Sequence, residues 1–135
     1  MKQQIVDHFT SSAKTALATG EIPAEEIGRA PRSMLDTLDK SGKLLLCGNG
    51  GSATDAMHFS AELLVRFLKE RKALPAVALV SDTATLTATG NDYAFDQIFS
   101  RQLEALATPG DHLVVITTSG NSPNILNAVN ASQAI

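Results

Sequence analysis

Cysteine is nearly absent: Cys47 is the single one in 135 residues, which excludes an internal disulfide framework and fits a reducing compartment. Aromatic residues make up only 4%, and tryptophan is missing, so a base-stacking platform for single-stranded nucleic acid is not expected. No basic run occurs, and the net charge of −3 from 11 basic and 14 acidic residues argues against direct nucleic-acid binding through a charged face. The start, Met1-Lys2-Gln3-Gln4-Ile5, lacks the apolar core of a signal peptide. No apolar run approaches the length that spans a membrane, so no membrane partner is expected and the cytoplasm is the expected location. What remains, 44% hydrophobic residues with 19% charge, is the composition of a folded domain.

Two segments repeat one design. Cys47-Gly48-Asn49-Gly50-Gly51-Ser52 and Thr117-Thr118-Ser119-Gly120-Asn121-Ser122 each follow a short apolar run and precede helical spacing. Glycine lets a backbone approach a ligand closely, and the free N–H groups of a helix start attract an anion. Hydroxyls add adjustable donors. The second loop has four hydroxyls in six residues, and Pro123 follows at a natural first helical position. An ordinary capped loop, with Ser122 merely starting the helix, is the plainer reading of the same residues. The first loop lacks the lysine of a P-loop and the spacing of a dinucleotide fingerprint, which argues against ATP and NAD.

Around these loops the pattern alternates. Residues 3–18 and 24–40 have helical spacing, with Pro31 a kink or break in the second; packing or oligomerisation is the role expected of both. A buried strand is predicted over 43–47, a helix from a Ser52 cap to about residue 67, and a strand over 74–80. A short helix plus loop is expected over 82–90, a helix over 94–107, a strand over 112–117 and a helix from 123. This predicts an α/β fold with a doubly wound parallel sheet, residues 1–40 forming N-terminal helices and 41–135 the front part of the core. Three strands make a small sheet, and the last helical pattern runs to Ile135 without a capping signal. A single domain continuing beyond residue 135 is the expectation.

On the predicted helix after the first loop, Asp55, His58, Glu62 and Arg66 fall on one stripe. A His and a Glu four apart serve as an acid–base pair, as two metal ligands, or simply as a solvated i,i+4 pair. Cys47 reads as a buried structural thiol, and residues 69–72 as a solvated helix end.

Taken in order, the 47–52 run, then Asp55-Ala56-Met57-His58-Phe59-Ser60-Ala61-Glu62-Leu63, Asn91-Asp92 and Ser119-Gly120-Asn121-Ser122 resemble the phosphoheptose isomerases of the sugar isomerase (SIS) domain superfamily, whose sheet is flavodoxin-like or Rossmann-like. The resemblance spans nearly the whole chain. It implies interconversion of sedoheptulose 7-phosphate and D-glycero-D-manno-heptose 7-phosphate, for the heptose of lipopolysaccharide cores. It implies a homotetramer with active sites between subunits. By position, Glu62 matches the catalytic base. His58, with Glu62, matches residues that bind one zinc per subunit in some members. Asn49, Gly50, Ser52, Arg66, Asp92, Thr117, Thr118, Ser119 and Ser122 match substrate and phosphate contacts. The family's partner acid, a histidine on a later helix, and a glutamine zinc ligand have no counterpart here, so the 135-residue chain by itself is expected to be inactive or badly impaired. A paralogous group in the same superfamily binds the bacterial replication initiator protein; His8-Phe9-Thr10-Ser11-Ser12 resembles it, whereas Glu62 speaks for the isomerase. A non-catalytic sugar-phosphate sensor ranks last, because no DNA-binding domain accompanies the chain and a sensor needs no His58–Glu62 pair.

Overall fold

The computed structural model describes residues 1–135 and divides into two compact units, Met1–Leu35 and Asp36–Ile135. The first unit holds α1 (Lys2–Gly20) and most of α2 (Ala24–Asp39). No residue of α1 is buried, and Ile5, Val6, Phe9 and Leu17 are exposed on it. α2 runs through Pro31 without a break, and Glu25 and Glu26 in its first turn complement the helix dipole.

The second unit is built on three parallel strands in the order β2-β1-β3: β1 (Leu44–Gly48), β2 (Ala76–Ala78) and β3 (His112–Ile116). Between and after them come α3 (Gly51–Leu64), α4 (Thr83–Asp92), a single 3-10 turn (Phe95–Gln97), α5 (Ser100–Leu106) and α6 (Pro123–Ser132). Leu44 to Gly48 are all buried, as befits a central parallel strand covered on both faces. The pleat sends Leu45 and Cys47 into a cluster with Leu79, Ile98, Phe99, Leu103, Ile125 and Ala128. Leu44 and Leu46 take the opposite face, the side of α3, which contacts all three strands and buries Ala56 and Ser60. The sheet is therefore doubly wound, as expected: right-handed crossovers leave from β1 toward β2, then return past β1 to β3, which puts their helices on opposite faces.

Several elements differ from the expectation, among them α3, which stops at Leu64 rather than about residue 67. The strand predicted over 74–80 is limited to Ala76–Ala78, because β2 pairs on one side only and Pro75 has no N–H to give. The segment 94–107 is two pieces. The carbonyl of Asp96 accepts from Asn127 Nδ2 of α6 at 3.1 Å rather than from the next turn, and the buried Gln102 amide donates to Ile98 and Leu79 carbonyls at 2.7 and 2.8 Å. Residues 69–72 are not a helix end. Arg71 Nη1 donates to the Leu63 carbonyl at 2.9 Å and Nη2 to the Glu62 carbonyl at 2.6 Å, closing the C-terminus of α3. A guanidinium there satisfies carbonyls that lack helical partners and meets the negative end of the dipole.

Candidate functional site

Strand order 2-1-3 places the topological switch point between β1 and β3, at their carboxyl ends. Both loops singled out in the sequence meet there. Gly48 ends β1 against Ile116 at the end of β3; a Cβ on Gly48 would stand 2.5 Å from the Ser52 carbonyl oxygen and 2.9 Å from that of Ile116. Only a residue without a side chain fits. Gly50 then turns with φ +56° and caps α3, and the amides of Ser52 and Ala53 bond the Asn49 and Gly50 carbonyls, each at 3.0 Å. This corrects the expected start: Gly50, not Ser52, is the cap, because the first turn needs a backbone conformation open to glycine. Ser52 lies inside the first turn, half-buried.

In the second loop, Thr117 Oγ1 accepts from the Gly120 amide and Ser119 Oγ from the Asn121 amide, both at 3.2 Å. Gly120 has φ +68°. Ser122 is the cap of α6 by backbone position, with no side-chain cap bond, and Pro123 opens the helix. Thr118 and Ser119 are exposed; Thr117 and Ser122 are half-buried. Hydroxyls and a helix start thus converge beside the first loop, an arrangement suited to a phosphate monoester.

The side chain of Asn49 is committed to a residue the sequence did not reveal. Its amide exchanges two hydrogen bonds with that of Asn124, at 2.9 and 2.8 Å, across 75 residues of chain. Asn124 is 2% exposed. Nothing local in the sequence marks it, since the pairing exists only once β1 and β3 are neighbours.

On α3, His58 Nε2 stands 3.1 Å from Glu62 Oε1, with side chains 76% and 33% exposed. No third His, Cys, Asp or Glu joins them in a group that could hold a metal. Glu62 is ten residues past Ser52, about 15 Å along the helix axis at 1.5 Å per residue. The stripe ends there. Arg66 falls beyond the end of α3 at Leu64 and its Nε pairs with Glu70 at 3.5 Å instead. Asp92 ends α4 and accepts from Asn91 Nδ2 at 2.7 Å; no hydrogen bond or ion pair ties it to either loop. Cys47 is fully buried, and burial pushes its thiol up to about 12, which makes it an inert core residue. An open cleft of about 690 Å³ lies away from the loops, lined by Val77, Asp82, Arg101 and Leu106 among others.

A parallel α/β sheet with two glycine-and-hydroxyl loops at its switch point belongs to the open α/β class, whose ligands bind in the crevice at the carboxyl ends of the strands. The SIS domain family matches residues 8–135. The phosphoheptose isomerase of Thiobacillus denitrificans is 50% identical over 134 residues, covering 99% of this chain and 68% of that protein. That of Shewanella loihica is 52% identical over 132 residues, covering 98% and 67%. Among solved structures, the phosphoheptose isomerases of Neisseria gonorrhoeae and Francisella tularensis superpose with TM-scores of 0.91 and 0.93, each at 45% identity and covering 98% of this chain and 69% of the other. The chain belongs to the SIS domain family and, within it, to the phosphoheptose isomerases. These relatives favour the isomerase over the initiator-binding paralogue. No helix is long and apolar enough to cross a membrane.

Proposed function

We propose that this protein interconverts sedoheptulose 7-phosphate and D-glycero-D-manno-heptose 7-phosphate through an enediol, in the supply of lipopolysaccharide heptose. The observation that carries the reading is the His58–Glu62 pair, on a helix that begins at a phosphate-type loop, in a chain half identical to phosphoheptose isomerases. Thr117, Thr118, Ser119 and Ser122 take the phosphate; Gly50 and Ser52 face the sugar from the first loop. Glu62 removes a proton from C1 of the ketose, the C–H electron pair forms the C1–C2 double bond, and the carbonyl electrons move to O2. Return of a proton to C2, with transfer of the O1 hydroxyl proton to O2, gives the aldose. His58, 3.1 Å away, orients the carboxylate. Arg66 and Asp92 belong to the rim of the site in this reading. Phosphate binding supplies the energy that holds C1 and C2 against the base.

A base must come within hydrogen-bond reach of the proton it takes. The three turns between Ser52 and Glu62 support a site shared between copies, with Glu62 of one chain serving the loops of another. The exposed Ile5, Phe9 and Leu17 of α1 support an oligomer, a homotetramer in this reading. The cytoplasm is the compartment proposed, in keeping with the single reduced cysteine. Zinc would take His58 and Glu62 as two donors. A zinc centre takes three or four protein ligands, so His58 and Glu62 alone are an incomplete set and no step is derived through the metal.

The test is turnover of sedoheptulose 7-phosphate by the full-length gene product and by its Glu62→Gln variant. Loss of about 100-fold or more in kcat, with KM little changed, is expected for removal of a general base. Sugar-phosphate binding without turnover by the unaltered full-length protein overturns the reading and makes capture of the replication initiator the next measurement.

A further inference from the structure

The two loops at the switch point are tied together by Asn49, which the resemblance counts among the substrate contacts, and Asn124, to which the chemistry above gives no task. Asn49 is the first residue after β1, and Asn124 is the second residue of α6, directly after the phosphate-type loop. Each amide gives one N–H and one carbonyl oxygen to the other, at 2.9 and 2.8 Å. A buried amide is costly unless its polar atoms are bonded, and this ring of two bonds fixes both side chains at once. Gly48 closes the same gap from below, at the ends of β1 and β3. The spacing of the two loops is therefore held by a specific polar bridge across the crevice.

We infer that Asn124 is a positioning residue: through Asn49 it sets the spacing between the phosphate loop and the sugar loop, and so selects a phosphorylated sugar over phosphate alone. The inference rests on the reading of these loops as a sugar-phosphate site. A ligand that touches both loops gains from their being ordered beforehand, since untied loops must be ordered on binding. Inorganic phosphate needs the second loop only and is blind to the spacing. The first loop's asparagine thus acts through its tie to α6.

The experiment is calorimetric titration of sedoheptulose 7-phosphate, and separately of inorganic phosphate, into the unaltered protein, Asn124→Ala, Asn49→Ala and the double variant. Asn124→Ala is expected to weaken sugar-phosphate binding about tenfold while inorganic phosphate changes by less than about twofold. The double variant is expected to be no worse than either single, because both act through one bridge. Asn49→Ala, on the half-buried side, keeps the test open where Asn124→Ala disturbs folding. Parallel weakening of both ligands, additive losses in the double variant, or an unchanged preference in both singles each overturns the inference alone. An unaltered protein that does not prefer the sugar phosphate overturns the reading of the site and the inference with it.

Discussion

Arg71 grips the main-chain carbonyl of Glu62 at 2.6 Å, nine residues back along the chain. The same guanidinium reaches Leu63, so the last turn of the helix that presents the proposed base is closed by a residue outside it. Hydrogen bonds from charged donors contribute about 1.5–3 kcal/mol each at most, and the dipole adds a fraction of that. Arg71→Ala is expected to lower unfolding free energy by about 1–2 kcal/mol. Hydrogen exchange at the Val65 amide, bonded to Ala61 at 2.9 Å, should quicken more than exchange in β1. Equal protection in the variant would show that the turn holds itself.

The parallel core was legible because Leu44-Leu45-Leu46-Cys47 is apolar without alternation, the mark of a strand buried on both faces. The loops were legible because glycine and hydroxyls at a strand end carry their own chemistry. The partners were not. Arg71 stands in a charge run that looks solvated until α3 ends at Leu64 and its carbonyls need donors. Asn124 meets Asn49 only through the order β2-β1-β3. Residues 94–107 have one helical face by spacing, yet Phe95 is 65% exposed, because tertiary bonds from Asn127 to Asp96 and from Gln102 to Leu79 divide the segment. Local pattern named the pieces; contacts across 8 to 75 residues decided their ends.

Gly48 is the tightest point of the site. Alanine there would press a methyl to 2.5 Å from the Ser52 carbonyl oxygen and 2.9 Å from that of Ile116, both backbone atoms that cannot swing away. Overpacking of this kind costs about 1–3 kcal/mol, here by spreading β1 from β3. Gly48→Ala should therefore lower the urea midpoint and weaken sugar-phosphate binding together. Gly20, where a Cβ meets nothing within 4 Å, is the control: Gly20→Ala should leave both within error or stabilise slightly. A Gly48→Ala protein of unchanged midpoint would mean that the strands part without cost.

The distance of about 15 Å between Ser52 and Glu62 along α3 makes a complementation test decisive for a shared site. Glu62→Gln removes the base, and a Thr118→Ala, Ser119→Ala double variant weakens the phosphate loop. Each alone should lose most turnover. After mixed refolding, some sites combine an intact base with an intact loop, and activity should rise well above that of either parent. No recovery in verified mixed oligomers would place base and loop of one site in the same chain.

Asp111 ties the turn before β3 to the strand beside it. Its carboxylate accepts from the Lys43 amide at 2.9 Å, from the Lys43 ammonium, and from the amide and hydroxyl of Thr108 at 2.7 and 2.9 Å. Burial pushes its pKa upward, but the donors from Lys43 and Thr108 outweigh burial and hold it at about 2, against 3.8 for the free group. A carboxylate with a depressed folded pKa stabilises the protein above its unfolded pKa, and that contribution is lost as pH falls through the folded one. The unaltered protein should lose stability between about pH 4 and pH 2, with Asp82, lowered by the Thr85 hydroxyl and amide, acting in the same direction. Asp111→Asn should be less stable at pH 7 and should fall less steeply on acidification. Urea midpoints for both proteins at pH 7, 5, 4 and 3 decide it: curves that stay parallel down to pH 3 would remove Asp111 from the acid transition.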